Sequence, residues 1–306
     1  MRYFIILLKN RTAAICLLYV IFGANPALSE TLSVFVSIVP QKYFVEKVGG
    51  DLVNISVMAS PGADVHTFEP KPKQMVELGK AKIYFAIGIE FENAWLGKFA
   101  AANPLMLIVQ TDKGIEKISM QGHGSHDEHE AAEKGEHGHG HHHGSADPHI
   151  WLSPRLVKVQ AINIRDALVS ADPANHTAYK TNCEKFLKEI DELDAEIKKL
   201  FSEKGGKVRF MAFHPSWAYF ARDYGLDQIP VEIEGKNPGP AQLKDLIVLA
   251  RKLDIKTIFV PPMSAVKIAE SLAKEIGGQL IAADPLAADW AKNLRETAGK
   301  FKAALK

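Results

Sequence analysis

Four side chains that could bind a metal ion each lie at the end of an apolar, strand-like run: His66, His149, His214 and Asp284. Their segments read PGADVHTFEP, DPHIWLSP, FMAFHPSW and LIAADPL. Three imidazoles and one carboxylate form a ligand set that suits tetrahedral zinc. Taken alone, each residue is more often a structural histidine or aspartate. Nearby proline or glycine, which fixes the presenting backbone, makes the set of four favour one divalent metal site.

Apolar runs alternate with helical segments through both halves of the chain, which predicts a parallel α/β sheet in each half. The predicted strands cover residues 31–39, 53–59, 83–89, 105–110, 207–213, 228–233, 256–260 and 279–283. In doubly wound sheets, ligands gather outside the carboxyl ends of the strands. Two of the four candidate ligands lie in each half, so we expect one ion in a cleft between two lobes.

Two helical segments separate the halves. Ser153-Pro154 predicts a helix start, and Asp172-Pro173 predicts a second helix of about thirty residues, ~45 Å long at 1.5 Å per residue. A helix of that length indicates a rigid connection between the lobes. The expected domains are therefore an N-terminal α/β lobe over 30–152, connecting helices over 153–205 and a C-terminal α/β lobe over 206–306.

The N-terminus has the pattern of an export signal. Basic residues precede an apolar stretch at 13–23, which is shorter than the ~20 residues of a membrane-spanning helix. We expect a cleavable signal peptide over 1–29, with an uncleaved anchor as the alternative. Ile15 precedes Cys16 where a small residue normally precedes a lipidated cysteine, so we expect no lipid anchor. Cys183 is then the remaining cysteine, which predicts an exported protein without an internal disulfide.

A histidine-rich segment, 121–145, contains eight histidines and five acidic residues but almost no large apolar side chain. It cannot bury enough surface to offset the entropy of ordering, so we expect a loop within the first lobe. It offers weak imidazole sites for zinc, or it is only a solvated linker. The whole chain has 37 basic and 36 acidic residues, which gives no electrostatic footprint for nucleic acid or an anionic membrane.

The segments around the candidate ligands, together with FHPSWAYFARDYGL and Asp284-Pro285-Leu286, closely resemble ZnuA-type receptors in the family of substrate-binding proteins that serve zinc and manganese ABC importers. The resemblance implies two Rossmann-like lobes joined by a long helix. It also implies His66 and His149 as ligands from the first lobe, and His214 and Asp284 from the second. Zn(II) would be the transported ligand of a periplasmic monomer that serves a cognate ABC permease at the inner membrane.

His214 decides the expected metal. Manganese members of the family have a glutamate at the matching position, whereas histidine there is similar to the zinc members, and nitrogen ligands favour zinc over manganese. The chain departs from zinc relatives at Val260-Pro261-Pro262, where an acidic residue is frequent, and it lacks the second-lobe cysteine pair that some of them carry. Glu69 is a candidate hydrogen-bond partner for a ligating imidazole, with a backbone contact as the alternative.

Three further aromatic or imidazole residues are expected to be structural. Trp151 and Trp217 lie beside candidate ligands and should pack as walls, whereas His176 should be on the surface.

The predicted function is a zinc receptor that catalyses no reaction. A manganese receptor of the same family is the first alternative. A zinc hydrolase is less expected, because four protein ligands would close the site and HExxH is absent from the sequence. A surface adhesin with an incidental metal site is the third alternative.

Overall fold

The structure is a computed structural model that describes residues 31–120, 146–202, 208–233, 235–262 and 267–304. The predicted signal peptide, 1–29, and the histidine-rich segment, 121–145, lie outside the described residues, so both stay predictions. Within the described ranges, no helix combines the length and the hydropathy needed to cross a membrane.

The first lobe is a four-stranded parallel sheet with strand order β2-β1-β3-β4. Its strands are β1 (Leu32–Val36), β2 (Val53–Val57), β3 (Ile83–Ala86) and β4 (Leu107–Gln110), and its helices are α1 (Val39–Gly49), α2 (Pro72–Leu78) and α3 (Glu90–Ala102). Strand β2 lies on one side of β1, and the chain then crosses over so that β3 lies on the other side of β1. This reversal opens a crevice outside the carboxyl ends of the strands, where ligands of such sheets bind.

Two helices connect the lobes: α4 (Pro154–Ala171) and α5 (His176–Phe201). The hydroxyl of Ser153 accepts a hydrogen bond from Leu156 N at 3.2 Å, which caps α4 as the sequence predicts. Helix α5 has 26 residues and is about 39 Å long. It is shorter than expected because Pro173–Asn175 forms a separate 3-10 turn. The prediction of a long connecting helix is confirmed.

The second lobe repeats the first, because its parallel sheet has the equivalent order β6-β5-β7-β8. Its strands are β5 (Val208–Ala212), β6 (Leu226–Pro230), β7 (Thr257–Val260) and β8 (Gln279–Ala282), and its helices are α6 (Ala218–Asp223), α7 (Pro240–Lys252), α8 (Lys267–Ile276) and α9 (Trp290–Ala304). The predicted run 228–233 was shifted, since β6 begins and ends earlier. Glu232 therefore lies just beyond the carboxyl end of a strand.

One hydrophobic core extends from the first lobe through α5 into the second lobe. Phe44 of α1, Phe186 of α5 and Trp290 of α9 meet there, with ring centroids 5.2 Å apart for Phe44 and Trp290 and 6.2 Å apart for Phe44 and Phe186. Cys183 is a buried free cysteine on the same helix. Because Trp290 of α9 packs against Phe44 of α1, the last described helix contributes to the core of the first lobe as well as to that of the second.

Candidate metal centre

Three of the four predicted ligands come together. His66 lies in the loop after β2, His149 precedes α4, and His214 follows β5. The Nε2 atom of His214 is 3.1 Å from Nε2 of His66 and 3.2 Å from Nε2 of His149. The three rings lie 5.0 to 5.3 Å apart, with their candidate ligand atoms all within 4.8 Å of one another. The carboxyl ends of strands from both lobes thus contribute to one site.

The Nδ1 atom of each histidine faces a carboxylate. The pairs are His66 with Glu90 at 2.7 Å, His149 with Asp147 at 2.7 Å and His214 with Glu232 at 2.8 Å. An ionised carboxylate only accepts hydrogen bonds, so a neutral ring donates from Nδ1 and keeps its lone pair on Nε2. Three Nε2 lone pairs at these distances repel one another unless a cation lies between them. The arrangement therefore fits a divalent metal ion.

The His149–Asp147 pair is the buried part of the site, with side chains 2% and 1% exposed. Asp147 Oδ1 also accepts a hydrogen bond from the backbone N of His149 at 2.9 Å. Burial lowers the pKa of His149, and the charge and hydrogen bond of Asp147 offset only part of this effect. His149 is thus held neutral and in one orientation, which is the state that binds a metal.

The His66–Glu90 pair is more exposed, with 24% and 38% of the side chains accessible. Burial lowers the pKa of His66, but the hydrogen bond and charge of Glu90, helped by Asp64 and Asp147, outweigh burial and raise that pKa above 6.5. Burial raises the pKa of Glu90, but the hydrogen bond and charge of His66 outweigh burial and lower the pKa of Glu90 below its usual value. A proton is therefore held more firmly on His66 than on His149.

Acidification is expected to weaken metal binding, and protonation of His66 should compete with the metal before protonation of His149 does. Zinc binds neutral imidazole, and the pKa of His66 is above 6.5. As the pH is lowered, zinc affinity should therefore begin to fall before pH 6.5 is reached, by about tenfold per pH unit while one histidine titrates. Calorimetric zinc titrations over a pH series measure this fall. Glu90→Gln removes the carboxylate that raises the pKa of His66 and should move the fall to lower pH. An affinity that does not change with pH would contradict three imidazole ligands.

Asp284 is not part of the group that the structure brings together. Its Oδ1 atom accepts a hydrogen bond from Leu286 N at 2.8 Å, and its carbonyl accepts one from Asn293 Nδ2 at 2.7 Å. The backbone of this loop is therefore fixed, while its carboxylate is turned partly toward its own chain. Among the described residues, the metal-ligand group consists of the three histidines.

The sequence analysis did not identify the carboxylates that orient the histidines. Glu69 was the candidate partner of His66, but Nδ1 of His66 bonds to Glu90 and Glu69 is exposed. Glu90 opens α3 after β3, and Glu232 follows β6, so the strand-end signal that identified the histidines could have identified both glutamates.

The expectations for the surrounding aromatic and imidazole residues are confirmed. Trp151 and Trp217 are buried, and His176 is exposed.

Comparison with known proteins identifies the family of the chain. A sequence model of the family described as zinc-uptake complex component A, periplasmic, matches residues 34–304. The chain belongs to this family. The high-affinity zinc uptake system protein ZnuA of Bacillus subtilis (strain 168) is 28% identical over 261 residues, which are 84% of this chain and 79% of that protein. The family resemblance and the two-lobe fold that it implies are both confirmed.

Two solved structures are also similar. A crystal structure of a ZnuA deletion mutant with zinc bound is 41% identical, with a TM-score of 0.81 over 90% of this chain and 99% of that chain. The laminin-binding protein Lmb of Streptococcus agalactiae, described as bifunctional with adhesin and metal transporting activity, is 25% identical. Its TM-score is 0.77 over 90% of this chain and 100% of that chain. Similarity in this family thus extends over the whole described fold.

Proposed function

We propose that this protein is the periplasmic receptor of a zinc ABC importer, which binds Zn(II) between its lobes and delivers it to a permease at the inner membrane. Its ligands are His66, His149 and His214, and Asp284 is the candidate for the fourth position, with water as the alternative. The observation that carries the proposal is the convergence of three Nε2 atoms whose rings are each oriented by a carboxylate.

The donor set supports zinc over manganese. Nitrogen ligands bind zinc more strongly than manganese, which prefers carboxylate, carbonyl and water oxygen. The carboxylates beside the three histidines, Glu90, Asp147 and Glu232, each have an oxygen engaged by an imidazole Nδ1. The metal would therefore meet nitrogen on three sides, and oxygen would fill at most the remaining positions.

In the proposed role, the protein binds Zn(II) and catalyses no reaction. A hydrolase with three histidine ligands needs a metal-bound water and a base that can take its proton. The three-histidine group leaves a fourth position, which Asp284 or water would fill. However, the carboxylates beside the imidazoles serve to orient them, and the chain belongs to a zinc-uptake family.

Metal titration with and without the histidine-rich segment tests the function. The segment's two ends are joined by an antiparallel bridge between Ser119 and Ala146 and by the hydrogen bond from Asp147 N to Ile118 O at 2.8 Å. A short glycine-serine linker can therefore replace 121–145 without moving His149. We expect the replaced form to keep one tight zinc site and to lose the weak sites.

The measurements are the metal content of protein purified without a chelating resin and competitive titration with zinc and manganese. A preference for manganese would favour the manganese receptor. Loss of the tight and weak sites together would show that the cleft is not a separate site. Metal-dependent ester hydrolysis would favour the hydrolase, and binding of laminin by a protein without tight zinc would favour the adhesin.

A further inference from the structure

The hydroxyl of Tyr219 on α6 of the second lobe lies against the segment of the first lobe that carries His149. Tyr219 is fully buried. Its hydroxyl donates to the carbonyl oxygen of Asp147 at 2.8 Å and accepts from Ile118 N at 3.1 Å. Asp147 N in turn donates to Ile118 O at 2.8 Å. One tyrosine hydroxyl therefore satisfies a backbone acceptor and a backbone donor from the opposite lobe, in a place that water does not reach.

Tyr219 and His214 belong to the same short segment after β5. Ser216 N donates to His214 O at 2.8 Å, and Ala221 N donates to Trp217 O at 2.8 Å, so the turn leads directly into α6. The position of Tyr219 is consequently fixed relative to His214.

Asp147 links the Tyr219 contact to His149. Its carboxylate binds both the backbone N and the Nδ1 atom of His149, at 2.9 and 2.7 Å. On the other side of His149, Trp151 Nε1 donates to the carbonyl oxygen of Pro285 at 2.6 Å. The segment 147–151 is thus bonded to the second lobe on both sides of His149, and His149 Nε2 lies 3.2 Å from His214 Nε2.

We propose that Tyr219 is a positioning residue for metal binding: its hydroxyl sets the distance across the cleft between His149 and His214. The inference rests on the proposed function, because it concerns how the zinc site is assembled. His149 and His214 form a pair of nitrogens with a fixed spacing, and His66, whose pair with Glu90 is more exposed, is the ligand that can adjust to the ion.

Removing the hydroxyl should disturb the site without removing a ligand. Tyr219→Phe keeps the buried ring but leaves the Asp147 carbonyl and the Ile118 amide without a partner, so the segment must shift to find new ones. Binding constellations tolerate displacements of about 0.5 Å. Partners that orient metal-bound histidines typically contribute 10–100-fold to affinity. Because Tyr219 acts through Asp147, we expect a loss of about tenfold in zinc affinity.

Tyr224→Phe is the matched control. Tyr224 is also buried and lies directly after α6, and its hydroxyl donates to Asp194 at 3.0 Å, away from the metal site. Zinc affinity is measured by competition with a chromophoric chelator for the parent and both variants. The visible absorption spectrum of bound cobalt reports the coordination geometry. Tyr219→Phe should change the affinity and the cobalt spectrum, whereas Tyr224→Phe should match the parent in both.

A double-mutant cycle separates positioning from a general loss of stability. If Tyr219 acts through His149, Tyr219→Phe should have no further effect on zinc affinity in a His149→Ala background. The same loss in both backgrounds would overturn the proposal, as would a Tyr219→Phe protein with the parent's affinity and cobalt spectrum. A parent protein that binds no zinc would instead reject the proposed function, so the two failures are distinct.

Discussion

His214→Ala is expected to lower zinc affinity by more than 100-fold, the largest effect of any single change on binding. Partners that only orient a ligand contribute about 10–100-fold, and a ligand itself contributes more. His214 is the central histidine, since its Nε2 lies within 3.2 Å of both His66 and His149. The measurement is competitive titration with zinc and manganese.

His214→Glu is expected to lower zinc affinity and to narrow the ratio of zinc to manganese affinity. It exchanges a nitrogen for a hard oxygen, and it places a negative charge beside Glu232, which has then lost its imidazole partner. His176→Ala is the control, because His176 is exposed and bonds to the Pro173 carbonyl. Unchanged affinities for both metals in His214→Glu would show that His214 is not a ligand.

The largest expected effect on stability is that of Trp290→Ala, about 3–5 kcal/mol. Trp290 is 2% exposed, its ring contacts Phe44 and Phe186, and its Nε1 donates to the carbonyl oxygen of Trp151 at 2.6 Å. The substitution leaves a cavity between the lobes and an unpaired carbonyl.

Urea unfolding of the metal-free protein, followed by circular dichroism, measures the loss. Trp95→Ala is the control, since Trp95 is only half-buried on α3 and carries Lys98 over its ring. Equal destabilisation by the two substitutions would contradict a special role for Trp290 between the lobes.

Much of the fold is predictable because continuous apolar runs bounded by polar or glycine residues are typical of buried parallel strands. All eight runs became strands. Strand β6 was misplaced because Val231 and Ile233 extend the apolar pattern beyond Pro230, where the strand ends. Which strands are neighbours did not follow from the runs themselves, since crossovers decide it.

His66 and His214 were predictable for the same reason as the strands, because each follows an apolar run. His149 follows no strand among the described residues and lies just before the 3-10 turn Ile150–Leu152, so the expectation that it ends a strand-like run was wrong. Two of the carboxylate partners depend on tertiary structure: Glu90 is 24 residues from His66, and Glu232 is 18 residues from His214. The third, Asp147, lies two residues before His149 in the segment DPHIWLSP. Tyr219 gave no signal, because a tyrosine among apolar helix residues is typical of a core position. The side chain of Asp284 depends on its loop, where Leu286 N binds one carboxylate oxygen.

The contact between α9 and α1 has a consequence for the order in which the molecule can be completed. A chain that is synthesised or threaded through a membrane from its N-terminus presents Phe44 long before Trp290 is available. The core of the first lobe therefore lacks the contact with Trp290 until almost the whole chain has been synthesised or exported. The packing around Phe44 can be completed only after α9 is available, and shortening the chain from its C-terminus should leave apolar surface near the N-terminus open to chaperones and proteases.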